Sequence, residues 1–230
     1  GKPYIKWTAV SGASKYYVYR SGSSNGTYKY VGTTTATNYT DNKANAGYTY
    51  YYKVKAVSKV SSGANSYYSV VIGATCHCAR PSVKITTVNG SPRLTWNAVA
   101  GANKYYIYRS TEANGTFEYL YSTKNLFYTN KSAVAGTTYY YKVKAISKVK
   151  SAANSSLSAT VAATCHCARP VVKPDYWAST GKPYIKWTAV AGASQYEVYR
   201  SGSKDGTYTL LGTTTATNYT DNKANAGYTY

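Results

Sequence analysis

The sequence predicts an all-β protein: a tandem array of seven-stranded sandwiches, the third of them incomplete. Three observations predict it. First, the chain repeats itself. Trp7 recurs as Trp96 and Trp187, and Tyr19 recurs as Tyr108 and Tyr199, at spacings of 89 and then 91 residues. Residues 1–50 and 181–230 agree at 42 of 50 positions. A period near 90 exceeds helical solenoid units and suits one small domain per repeat. Second, apolar residues alternate with period two. Third, turn residues punctuate those alternating runs, and no segment carries a helical apolar stripe.

Each element can be justified in turn. Tyr4-Ile-Lys-Trp-Thr-Ala-Val10 alternates, with Ile5 and Trp7 on one face. Lys15-Tyr-Tyr-Val-Tyr-Arg20 follows as a second strand. Asn25-Gly26, Asn114-Gly115 and Asp205-Gly206 stand at one place in every repeat, and such pairs suit a tight hairpin. Further strands are expected near 28–33 and 38–41, with loops at Thr33 to Asn38 and Ala44 to Gly47. From Gly47 to Ser58, Tyr50, Tyr52, Val54 and Ala56 share one face, while Tyr51, Lys53 and Lys55 share the other. A last strand is expected near 67–73, and Val83 to Val88 supplies the first strand of the next repeat. Seven strands in about 90 residues argue a two-sheet sandwich.

At this point the residues resemble a family. Ile5-Lys-Trp7, Tyr16-Tyr-Val-Tyr-Arg20 and Ala46 to Ala56, with their counterparts Leu94-Thr-Trp96, Tyr105 to Arg109 and Ala135 to Ala145, resemble fibronectin type III domains. The likeness is closest to tandem copies in secreted and wall-associated proteins of Gram-positive bacteria. It covers nearly the whole chain outside two Cys-His-Cys junctions. The resemblance implies immunoglobulin-like sandwiches and an exported protein at the cell surface or wall, and is nearly silent on function. The integrin-binding tripeptide of some members is not present.

The division that follows is a domain over 1–75 lacking its first strand, a linker over 76–80 and a complete domain over 81–164. A second linker at 165–169 leads to a third domain over 170–230, short of its last strands. The chain opens and closes at mid-domain positions and contains no Met, so it reads as an internal piece of a longer polypeptide, and missing targeting signals carry no weight. Apolar runs fall well below the ~20 residues of a membrane-spanning helix.

Composition narrows the function. A net charge of +20 from 27 basic and 7 acidic residues favours anionic partners. Tyrosine is over-represented, 30 residues against 2 Phe. A phenol packs as a hydrophobe yet keeps a polar tip, which suits the edge of a core or a wet binding face. An enzyme is not expected. Both histidines lie in the junctions, residues 1–75 hold Asp41 as their one acid, and no phosphate loop between strand and helix is present. Seven acids also make a calcium site improbable, no cofactor is implied, and no recognition element for sequence-specific nucleic-acid reading is found.

All four cysteines and both histidines sit in Cys76-His77-Cys78 and Cys165-His166-Cys167, each after an expected last strand and before a proline. This is a linker position. Several chemistries remain open there. Cys76 with Cys78, and Cys165 with Cys167, could form local disulfides in an oxidising compartment, closing small strained rings. The thiols could instead bond another chain, or stay free. A metal held by Cys76, His77 and Cys78, or by Cys165, His166 and Cys167, lacks a fourth ligand and the spacing a tetrahedral ion wants.

Alternation places Tyr17, Tyr19, Tyr51, Lys53 and Lys55 on an outward face, repeated as Tyr106, Tyr108, Tyr140, Lys142 and Lys144. In the third repeat Glu197 replaces Tyr17. Such a face could hold a glycan by ring stacking, or a cell-wall or other anionic polymer through its lysines. Exposed Tyr and Lys also simply suit solvated strands. The expected role is therefore a structural spacer or adhesive array of an extracellular bacterial protein. Two alternatives are a self-associating extracellular filament and the noncatalytic repeats of a cell-wall hydrolase.

Overall fold

The computed structural model describes residues 1–176 and 180–230. Eighteen strands are assigned among them. The first repeat holds β1 (Tyr4–Lys6), β2 (Ala13–Ser21), β3 (Lys29–Thr34), β4 (Asn38–Thr40), β5 (Thr49–Ser58) and β6 (Ile72–Thr75). The second holds β7 (Val83–Val88), β8 (Ser91–Trp96), β9 (Ala102–Ser110), β10 (Glu118–Thr123), β11 (Phe127–Thr129), β12 (Thr138–Ser147) and β13 (Val161–Thr164). The third holds β14 (Val172–Tyr176), β15 (Pro183–Trp187), β16 (Tyr196–Arg200), β17 (Thr209–Thr214) and β18 (Asn218–Thr220). Sheet orders are β1-β4 and β3-β2-β5-β6, then β11-β8-β7 and β10-β9-β12-β13, then β14-β15-β18 and β16-β17. Pairing is antiparallel in every resolved register. The all-β class is as expected.

Chain contacts group into two units. One comprises Gly1–Lys84, Leu94–Tyr128 and Tyr140–Val161, the other Ile85–Arg93, Thr129–Tyr139 and Ala162–Tyr230. In the first unit, Ile5, Tyr16, Val18, Tyr52, Val54 and Ala56 form a buried core, with Trp7, Val31, Tyr39 and Tyr50 packed against it. The alternation of β2 and β5 produces this directly, since period two sends every second side chain to the same face. Trp7 meets the ring of Tyr16 edge-on at 5.2 Å, and Trp96 meets Tyr105 at 5.3 Å. In the second unit Trp187 and Tyr196 repeat the contact at 5.2 Å. There Trp187, Ile185 and Val198 line an open cavity of about 560 Å³.

Tyrosine serves where phenylalanine could not. The Tyr16 oxygen accepts a hydrogen bond from the Val10 N–H at 2.9 Å, as Tyr105 does from Val99 and Tyr196 from Val190. Tyr39 donates to the Val31 carbonyl, and the Tyr50 oxygen accepts from Asn45 N–H. The ring fills the core while its tip satisfies a loop at the rim. The tyrosine excess is thus in large part structural.

Two local expectations need correction. Asn25-Gly26 does not make a two-residue hairpin. It lies within a longer loop, in a turn closed by Gly26 N–H to the Ser23 carbonyl, and Gly26 is there for space. A Cβ would come within 2.6 Å of the Ser21 Oγ and 2.5 Å of the Ser23 Oγ. The two-residue turn is Asn89-Gly90, with φ of 47° and 79°, between β7 and β8. The last strand of the first repeat also begins later than expected, at Ile72. Before it, Ser69 N–H donates to the Val54 carbonyl while its Oγ accepts the Val54 N–H, and Ser66 does the same with Ala56. A serine hydroxyl replaces the backbone acceptor, so the segment tracks β5 without forming a regular ladder.

Candidate functional site

The outward face is built by register. Tyr17 stands opposite Lys55, Tyr19 opposite Lys53 and Ser21 opposite Tyr51 on the β2–β5 pair. In the second repeat Tyr106 faces Lys144, Tyr108 faces Lys142 and Ser110 faces Tyr140. The expected face residues of each repeat are therefore brought together on one sheet, all of them half-buried.

More aromatics join than alternation of β2 and β5 alone predicts. The Tyr30 ring packs edge-on against Tyr17 at 5.6 Å and near Tyr19 at 5.9 Å, and Tyr68 meets Tyr19 at 5.2 Å. The Lys53 ammonium sits 4.4 Å from the Tyr28 ring centre, and Lys55 5.5 Å from that of Tyr68. The second repeat keeps the plan: Tyr119 meets Tyr106 at 5.4 Å and Tyr108 at 6.1 Å, and Lys142 lies 4.0 Å from the Phe117 ring centre. Tyr28, Tyr30, Phe117 and Tyr119 were legible as the aromatic parity of the strand after the Asn-Gly pair. Tyr68 was not, because its segment is not a regular strand. Lysine against aromatic ring is a favourable cation–π arrangement that holds the cation while leaving it partly hydrated. Burial raises the Tyr19 and Tyr108 phenols above their ordinary range, with Tyr68 adding to the effect at Tyr19. Both rings therefore stay neutral.

The third repeat breaks the pattern. Glu197 stands in the row, accepting a 2.6 Å hydrogen bond from the Tyr199 hydroxyl. That bond raises the Tyr199 phenol. Leu210 faces Tyr199 where Tyr30 faces Tyr19.

At the first junction the Cys-His-Cys backbone is held by several hydrogen bonds. Cys76 N–H donates to Tyr48 and its carbonyl accepts from Gly47, prolonging the β5–β6 ladder, while His77 N–H donates to Gly1. The second junction repeats this with Thr137, Gly136 and Gly90. The tripeptide thereby ties both sheets of a repeat at one end.

The structure holds all four cysteines as thiols, so the local bridges expected at Cys76–Cys78 and Cys165–Cys167 are not formed. The side chains are otherwise occupied. The Cys76 sulfur points at the Ala44 carbonyl, 3.5 Å away, and the Cys165 sulfur at Ala133, also 3.5 Å. Burial raises the Cys76, Cys78 and Cys165 thiols, so they are poor nucleophiles. Among the described residues no three His, Cys, Asp or Glu side chains gather as a metal site would require. Cys76, His77 and Cys78 do not converge, nor do Cys165, His166 and Cys167.

The strand order decides the fold family. In the second repeat the first, second and fifth strands form one sheet and the third, fourth, sixth and seventh form the other. A constant-type immunoglobulin domain would instead place the fourth strand with the first sheet. The repeats are fibronectin type III-like sandwiches. No family model matches the chain. A poly(3-hydroxybutyrate) depolymerase of Ralstonia pickettii is 34% identical over 136 residues, 59% of this chain and 25% of that protein. The chain thus spans about a quarter of that relative's length. A two-domain fibronectin type III segment of chicken tenascin is 12% identical with a TM-score of 0.45, covering 70% of this chain and 90% of that one. A fibronectin type III-like protein of Clostridium thermocellum is 32% identical with a TM-score of 0.29, covering 35% of this chain and 85% of that one. Among the described residues no helix is long and apolar enough to cross a membrane.

Proposed function

We propose that these fibronectin type III-like repeats are a noncatalytic spacer of an extracellular bacterial protein, with one sandwich per repeat and joints at 76–80 and 165–169. Their tyrosine–lysine faces adhere to anionic polymers or glycans. The observation that carries this reading is the register that sets Tyr17 and Tyr19 against Lys55 and Lys53, and repeats it with Tyr106, Tyr108, Lys144 and Lys142. Two such faces in one chain would bind a long polymer better than either alone, because the second contact is intramolecular. The test is retention on polyanion resin. Wild-type chain should elute at higher salt than the quadruple variant Lys53, Lys55, Lys142 and Lys144→Gln. Affinity should fall steeply with salt, as counterion release demands. Equal elution of the two proteins would refute the assignment of the face.

A second reading has its own support. Similarity to a depolymerase over a quarter of that protein's length suits noncatalytic repeats within a larger polymer-degrading enzyme. Cosedimentation with poly(3-hydroxybutyrate) granules would distinguish it, since binding to an uncharged polyester persists at high salt. Loss of sedimentation at high salt would discard this reading.

A further inference from the structure

We infer that the Cys-His-Cys tripeptide is a docking strand by which the tail of one repeat recognises the head of the next, with its second cysteine sealed inside that joint. In the first unit, the Cys78 N–H donates to the Ala153 carbonyl at 2.9 Å, and His77 Nδ1 lies 3.4 Å from the Asn154 carbonyl. The Cys78 thiol is buried, with Ser147 beside it. These partners all belong to the second repeat, Ser147 at the end of β12 and Ala153 and Asn154 in the loop after it. Small residues let the backbones close. A Cβ on Gly101 would stand 2.8 Å from the Ala46 Cβ, and one on Gly47 would stand 2.8 Å from Val149 Cγ2. Lys150 Nζ also contacts Thr49 Oγ1.

The chain contains its own control. Gly12 occupies the same place in the first repeat as Gly101 in the second, with φ of 74° against 81°, yet nothing stands within 4 Å of a Cβ built there. Val60, the counterpart of Val149, is 91% exposed against 43%. Ala64 is exposed where Ala153 is fully buried. The head surface that a Cys-His-Cys tail meets is covered, and the corresponding surface of the first repeat, before which these 230 residues place no tail, is open. In the second unit the approach recurs, with a Gly192 Cβ falling 2.7 Å from the Ala135 Cβ. Cys167 is exposed there while Cys78 is buried. The counterparts of Ser147 and Ala153 would be numbered beyond Tyr230. The partner chemistry is thus another copy of the same repeat, read through glycine, alanine and backbone groups rather than charge.

The test is thiol footprinting of the reduced 230-residue polypeptide with iodoacetamide, each cysteine followed by fragment mass spectrometry. Cys167 should react as a free thiol, and Cys78 should be protected by at least about tenfold, the signature of a group reached only by local opening. In Val149→Asp and in Ala153→Glu, Cys78 should approach the rate of Cys167. Cys76 packs within the first repeat, so its continued protection reports that repeat as folded. Equal labelling of Cys78 and Cys167 in the unmodified chain would overturn the inference, as would unchanged protection of Cys78 in both variants. Val149 is a loop residue, so joint exposure of Cys76 and Cys78 in Val149→Asp would also count against it.

Discussion

Asp41 is the residue around which the end of the first sandwich is organised. Its Oδ2 accepts from Arg20 Nη1 at 2.8 Å and from the Tyr52 hydroxyl at 2.9 Å, while Oδ1 accepts from the Lys43 N–H. The guanidinium also lies 4.6 Å from the ring centre of Tyr50. The third repeat keeps the pair as Arg200 and Asp221 at 2.9 Å, whereas the second places Asn130 there. The Asp41 side chain is 1% exposed, so deleting it strands a donor and a cation together. Asp41→Ala should cost about 3 kcal/mol, the low end for breaking a buried pair, because Arg20 retains some access to water. Calorimetry should show the transition of the first repeat shifting down while that of the second stays. Asp41→Asn should cost less, as the second repeat folds around that residue. The alternation that buries Tyr52 was readable from sequence. The convergence of Arg20, Asp41 and Tyr52 was not, because they are 21 and 11 residues apart and meet only when two sheets close.

At the scale of elements, the serine pairs explain why the last strand was misplaced. Ser66 and Ser69, with Ser155 and Ser158 in the second repeat, hold a segment beside β5 or β12 through hydroxyls. Such residues read as loop formers in sequence, since they compete for backbone groups. Here that competition is put to use. Ser158→Ala leaves the Val143 N–H without its acceptor at a buried position. The expected cost is about 1–3 kcal/mol, measured as a lowered urea midpoint with unchanged slope. Ser158→Thr, which keeps the hydroxyl, should recover part of it. The tyrosine–lysine face belongs to the same scale. Its β2 and β5 members follow from period two alone. Tyr28 and Tyr30 follow from the parity of the strand after the Asn-Gly pair, whereas Tyr68 joins through a segment that is not a regular strand.

For the molecule as a whole, the buried phenols set an alkaline limit. Burial, then the hydrogen bond to Asp41, pushes Tyr52 far above its ordinary range. Burial likewise raises Tyr39 and Tyr128. A raised phenol keeps its proton in the folded state while the unfolded chain releases it at about pH 10. Stability from these groups is therefore complete below about pH 10 and declines above it. Each retained proton contributes a slope of about 1.4 kcal/mol per pH unit. Urea midpoints should hold from pH 9 to 10 and then drop, less steeply in Tyr52→Phe. A parallel decline in both proteins would exclude Tyr52 as a contributor.

The sequence by itself determined the repeats, the all-β class and the alternation that gives β2 and β5 a core face and an outward face. These are properties of period, composition and spacing, and periodicity is carried in every residue. Only the tertiary structure decided that the Cys76 sulfur meets the Ala44 carbonyl, that Asp41 is buried, and that Gly101 rather than Gly12 meets an alanine. Each of these depends on which backbone lies against which. Such proximity is set by how the sheets and successive repeats close, and no local pattern records it.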